Sequence, residues 1–188
     1  MPRCVLIRSG HTEWEEDERI QGRLDVPLCT RGIEQARSES EALRDVDFLV
    51  VYSTGDKCSQ QTAEIIGGTL SKPVKVLKRV REVDLGLWQG MLVGQLKERY
   101  PRAYNRWVHS PLSVCPPRGE SILQASDRLE RVLKRLVKKH NNHSFALVCP
   151  PIADAVLRCL VKGVDLNRVW EVLSESPVSE VCEIPDTK

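Results

Sequence analysis

Three short runs of apolar, β-branched or aromatic residues mark the chain: Val5-Leu6-Ile7, Phe48-Leu49-Val50-Val51-Tyr52 and Phe145-Ala146-Leu147-Val148-Cys149. Unbroken apolar runs of this length suit strands buried on both faces of a parallel sheet. The second and third lead into helical spacing. Gln61 to Leu70 carries Ala63, Ile65, Ile66 and Leu70. After the third run, Ile152, Ala155, Val156, Leu157, Leu160 and Val161 mark a largely buried helix. Strand alternating with helix predicts a three-layer α/β domain, a mainly parallel sheet between helices, with right-handed crossovers.

The clearest helix is amphipathic: Leu129, Val132, Leu133, Leu136 and Val137 recur at i, i+3, i+4, i+7 and i+8, the spacing of one buried stripe. Arg128, Arg131, Lys134, Arg135, Lys138 and Lys139 fill its other faces, and a basic end suits a helix C-terminus in solvent. Pro111, Pro116, Pro117 and Gly119 mark the loop entering this helix, and Asn141-Asn142-His143 the turn leaving it. The stretch from Glu82 to Pro117 reads as a helical insertion over a pocket mouth. No repeat, low-complexity tract or linker divides the 188 residues, so one domain over 1–188 is expected.

Composition narrows the function classes. Lys+Arg of 28 against Asp+Glu of 26, with no block of five like charges, is not a nucleic-acid footprint. No run approaches the roughly 18 apolar residues of a membrane span, and the Met1-Pro2-Arg3 start is charged too early for a signal peptide. The seven cysteines, Cys4, Cys29, Cys58, Cys115, Cys149, Cys159 and Cys182, are odd in number and contain no Cys-x-x-Cys pair. That argues against a disulfide framework and a zinc site, so a reduced cytoplasm and no metal or cofactor are expected.

Candidate chemistry lies at the end of the first run, in Arg8-Ser9-Gly10-His11-Thr12-Glu13-Trp14-Glu15. An arginine and hydroxyls at the carboxyl end of a strand suit an anion in an open α/β sheet. With Arg19-Ile20-Gln21-Gly22, Asp25-Val26-Pro27-Leu28-Cys29-Thr30, Gly32 and Gln35-Ala36, the string resembles the histidine phosphatase superfamily, of phosphoglycerate mutase-like fold. Residues 52–66, 81–90, 117–121 and 145–160 resemble its later segments in order, so the resemblance spans nearly the whole chain. It implies phosphomonoester chemistry: a histidine attacks phosphorus, two arginines and a second histidine neutralise the phosphoryl oxygens, and a carboxylic acid protonates the leaving oxygen.

Few of those groups are present. The nucleophile's place is held by Ser9, the second arginine's by Cys58, a phosphate-binding asparagine's by Glu15, and the second histidine's by Pro150, with Pro151 following. Serine is a weak nucleophile without an adjacent base, and two prolines remove backbone N–H donors. Arg8, Gly10, Thr12 and, at the general-acid place, Glu82 are kept. The resemblance with these losses predicts an inactive domain that binds a small phosphorylated ligand, an anion or a protein partner through Arg8, Ser9, Gly10, Thr12, Glu15, Cys58, Glu82 and Pro150. The alternative is a weak phosphatase using Arg8 and Glu82.

Other residues are weighed beside these. His11 as a displaced nucleophile needs a rebuilt loop. A lowered thiol pKa at Cys58 or Cys149 would make either reactive, but no cysteine is followed by arginine at the sixth place, as cysteine phosphatases require. His140 and His143 are expected to be solvated, and Trp14, Trp88, Trp107 and Trp170 to serve in packing rather than as a stacking platform.

Overall fold

In the computed structural model, which describes residues 3–78, 80–141 and 143–184, strand β1 spans Arg3–Arg8 and carries Cys4, Val5, Leu6 and Ile7 without solvent exposure. Its side chains alternate: Cys4 and Leu6 enter one core, Val5 and Ile7 the other. A strand apolar at every position is thus one covered on both faces.

The elements follow as α1 (Glu13–Glu16), α2 (Thr30–Ala42), β2 (Val51–Thr54), α3 (Lys57–Thr69), β3 (Val74–Leu77), α4 (Val93–Arg99), α5 (Pro101–His109), α6 (Ile122–His140), β4 (Phe145–Cys149), α7 (Pro151–Lys162), α8 (Val169–Glu175) and β5 (Ser179–Glu183). The sheet order is β3-β2-β4-β1-β5. Parallel pairing joins β3 to β2, β2 to β4 and β4 to β1, while β5 runs antiparallel to β1. The three-layer, mainly parallel expectation is met.

Leu43, Phe48, Ala63 and Ile66 from α2, α3 and their flanks pack on Val5, Ile7, Ala146 and Val148. On the opposite face Leu129, Leu133 and Leu136 of α6 and Val156 and Leu157 of α7 pack on Leu6, Phe145 and Leu147. The α6 stripe is the one expected. This helix opens on a capping box in which Ser121 accepts from Gln124 N, satisfying donors no helical carbonyl can reach. The α7 helix begins Pro150-Pro151, which cost nothing at N-cap and N1, and stops at Gly163 with φ 65.

Boundaries differ from expectation in instructive ways. Phe48, Leu49 and Val50 precede β2 rather than forming it, because Leu49 N instead bonds Ser144 O while the strand proper runs Val51–Thr54. The helix expected from Gln61 starts four residues earlier, at Lys57. The insertion from Glu82 to Pro117 does hold two helices, α4 and α5. Met1, Pro2 and Asn142, used above for the chain start and the turn after α6, lie outside the described residues.

Candidate active site

Arg8 ends β1, Cys149 ends β4, and the loop after β1 turns between the N-termini of α2, α3 and α7. Two glycines make the turn possible: a Cβ on Gly10 would lie 2.4 Å from Gly32 O, and one on Gly32 2.1 Å from His11 O. Gly10 N donates to Thr62 Oγ1 at 3.0 Å, and that hydroxyl donates to Cys58 O at 2.8 Å, which ties the loop to α3. His11 N donates to Gln35 Oε1 at 3.0 Å. The motif residues around 19–36 and 61–62 therefore hold the loop in place.

Ser9 is buried, and its N–H donates to Cys149 O. Among the described residues no imidazole or carboxylate hydrogen-bonds its Oγ. The base that would activate a serine is not in contact with it. Cys58 lies beneath, 1% exposed, where burial pushes its thiol up to about 11. Cys149 is fully buried in β4 and likewise raised by burial. Neither thiol is a thiolate near neutrality, so the reactive-cysteine alternative fails on desolvation.

Thr12 is the N-cap of α1, fully buried, and Glu15 completes a capping box: Thr12 N donates to Glu15 Oε2 at 3.0 Å. Glu15 is thereby turned back on its own helix, with burial raising its pKa and Arg8 and His11 opposing. Arg8 donates through Nη1 to Leu173 O of α8 at 2.8 Å. Arg8, Ser9, His11, Glu15, Pro151 and Leu173 line a cavity of about 180 Å³. Gly10, Thr12, Cys58 and Pro150 support its walls without lining it.

Glu82 is the most elaborately held residue. It is 4% exposed, and its Oε1 accepts from Val83 N at 2.7 Å and Ala153 N at 2.8 Å, its Oε2 from Ile152 N at 3.0 Å. Ile152 and Ala153 are the first residues of α7 with free N–H groups after its two prolines. Their donors and the helix dipole make a site for an acceptor, and the Glu82 carboxyl fills it. Burial nevertheless pushes the Glu82 carboxyl up to about 8, against those backbone donors. Its carbonyl accepts from Arg23 Nε at 3.0 Å and Arg128 Nη2 at 2.9 Å. Arg23 pairs with Asp84 and Glu120, and Arg128 with Glu120 at 2.6 Å. Burial works to raise Glu120, but the Arg128 guanidinium outweighs it and holds the carboxyl low. Arg23, Asp84 and Glu120 had no assigned role, and Arg128, expected on a solvent-facing side of α6, instead turns in to Glu120 and the Glu82 carbonyl; no local spacing connects Arg23 to Glu120, which are brought together only by the fold.

Above this floor α4, α5 and α8 enclose a larger cavity of about 320 Å³, whose lining includes Trp88, Trp107 and Trp170. Their positions, scattered in sequence, converge in space. His140 also differs from expectation: instead of lying free in solvent it bonds Tyr52 Oη through Nε2 at 2.8 Å and packs on Phe145. Among the described residues no cluster suits a metal ion, and no helix is long and apolar enough to cross a membrane.

A polar cavity at the carboxyl ends of parallel strands, roofed by a helical insertion, stands where open α/β sheets bind their ligands. The chain belongs to the histidine phosphatase superfamily (branch 1), matching it over residues 4–182. It is 34% identical over 172 residues to phosphoserine phosphatase 1 of Hydrogenobacter thermophilus, covering 90% of this chain and 81% of that one. YhfR of Bacillus stearothermophilus superposes with a TM-score of 0.87 at 24% identity, over 99% and 93% of the two chains, a likeness of fold. A mutant phosphoserine phosphatase from Entamoeba histolytica, solved with phosphoserine, gives a TM-score of 0.79 at 25% identity, over 91% and 85%.

Proposed function

We propose that this superfamily member does not turn over phosphomonoesters and acts by binding, as a cytoplasmic pseudophosphatase. The observation that supports it most is the occupancy of the cradle. Ser9 stands between Arg8 and Gly10 with no base on its hydroxyl, and the α7 N–H groups are bonded to Glu82. Pro150 and Pro151 offer no donors, and Cys58 fills the place where the family's second arginine is expected. Losing one oxyanion donor typically costs about 2.7–4 kcal/mol of transition-state stabilisation, and losing a nucleophile more. The seven unpaired cysteines fit a reducing compartment.

One observation favours a second reading, a weak phosphatase. Glu82, raised by burial, holds its proton near neutrality, the state a general acid needs, and Arg8 is in place. The named activity of the Hydrogenobacter relative makes phosphoserine its first substrate to try. A single assay separates the two: an aryl phosphate, phosphoserine and phosphoglycerates are tested on the unmodified protein, on Arg8→Ala and Glu82→Ala, and on a Ser9→His, Cys58→Arg, Pro150→His triple variant. No turnover by the unmodified protein is expected. Turnover abolished by Arg8→Ala or Glu82→Ala establishes the enzyme reading instead.

A further inference from the structure

The two cavities over the α7 N-terminus adjoin, since Glu15, Pro151 and Leu173 line both. Their chemistry differs. The larger is walled by Leu85, Trp88, Leu96, Trp107, Trp170 and Leu173. Trp88 and Trp107 stand edge to face with centroids 5.6 Å apart, and Trp107 and Trp170 are 4.8 Å apart. The Trp170 Nε1 is spent on Trp107 O at 2.7 Å, so that ring offers its face and edge rather than a donor. Such walls suit a flat apolar body of one or two rings.

At the polar end, the partner of that body is a carboxylate. Glu15 Oε2 accepts from Thr12 N, while Oε1, 3.8 Å from His11 Nδ1, accepts no hydrogen bond among the described residues. A hydroxyl can donate to it. A phosphate dianion carries only acceptors and adds like charge beside it. Of the groups that would offset that repulsion, the N–H groups of Ile152 and Ala153 are spent on Glu82, and Arg8, whose Nη1 bonds Leu173 O, stands against the Glu15 charge in the same cavity.

We infer that this joined space takes a neutral, aromatic-bodied ligand ending in a hydroxyl, received by Glu15, in preference to the phosphate ester of the same molecule. The inference deepens the inactive reading and rests on it. The apolar room is wide, whereas the cavity beside Arg8 and Ser9 presents a carboxylate to whatever group enters it.

The matched pair 2-naphthol and 2-naphthyl phosphate tests it on the full chain, with affinities from ligand-observed NMR titration and hydrolysis followed by release of fluorescent naphthol. Naphthol is expected to bind at least about tenfold more tightly than its phosphate, a gap of roughly 1.4 kcal/mol, with no release. Val108 lines the larger cavity and is 38% exposed, so Val108→Trp is expected to block the mouth without disturbing the core and to abolish naphthol binding. Glu15→Gln keeps an acceptor for Thr12 N–H but removes the charge, and is expected to narrow the preference severalfold. Equal or tighter binding of the phosphate without release overturns the inference and leaves the inactive reading standing. Release of naphthol that is lost in Arg8→Ala overturns the inactive reading itself. Absence of naphthol binding at millimolar concentration, or binding unchanged in Val108→Trp, overturns the inference alone.

Discussion

Glu82 carries the sharpest consequence at the scale of one residue. Its carboxyl sits near 8 in the folded chain because it is buried, while in the unfolded chain it has an ordinary carboxylate value near 4.3. Between those values the folded state holds a proton that the unfolded state has released, so stability falls as pH rises through the window and levels off above it. From pH 6 to pH 8 the loss is expected to reach about 2 kcal/mol. Urea denaturation at several pH values checks this, and the slope is expected to flatten in Glu82→Gln. A wild-type curve that climbs over the same range would mean that the backbone donors, not burial, set its titration. The arrangement was legible at this scale as far as residue types reach: Arg8, Ser9 and Glu15 line one cavity, and Glu15 and Glu82 line its neighbour. That Glu15 would turn back to cap α1, and that Glu82 would cap α7, depends on which orphan N–H groups the fold leaves nearby, and no spacing encodes that.

Between elements, the decisive contact is the approach of the β1 loop to α2. Gly32→Ala would push a methyl to 2.1 Å from His11 O, against backbone that cannot swing away, and is expected to cost about 1–3 kcal/mol. Gly68, in α3 with nothing within 4 Å of its missing methyl, is the opposite case. Gly68→Ala is expected to gain about 0.5–1 kcal/mol by helix propensity. Thermal unfolding of the two variants should shift in opposite directions, and a common sign would remove the argument from close approach. These elements also show what periodicity reveals. The stripe of α6 and the apolar runs of β1 and β4 were readable because one environment, core, dictated them. The α2 helix, of residues such as Arg31, Glu34, Arg37, Ser38 and Glu39, buries only Gly32, Ala36 and Ser40 and shows no apolar stripe to read. The edge strands β3 and β5, half open to solvent, lack the continuous apolar signal for the same reason. Both edges are recognised by their partners rather than by their own residues.

Across the whole molecule, Arg158 binds the sheet to its helical layer. It is fully buried on α7, donating to Asp154 Oδ2 and Glu180 Oε2 at 2.7 Å each and to the carbonyls of Leu6 and Val178. One guanidinium thus joins β1, α7 and β5, and the antiparallel edge strand depends on it. Burial raises Asp154 to about 6 even beside this arginine. Arg158→Leu, which strands the buried Asp154 carboxylate while Glu180 keeps Lys162 at 2.7 Å, is expected to cost about 3–5 kcal/mol; Arg158→Leu with Asp154→Leu should recover part of that loss. A single variant as stable as the parent in urea would show that β5 is held by its ladder alone. The burial of Cys58 at the place expected for a second arginine has a consequence of another kind, concerning the paths open to the chain over generations. On the proposed reading, restoring a histidine at position 150 or an arginine at position 58 does not by itself return the family's chemistry, because Ser9 still stands at the nucleophile's place. Cys58→Arg alone forces a guanidinium into a packed position before any nucleophile is in place, so on that reading drift away from catalysis works as a ratchet, and the way back requires several changes at once.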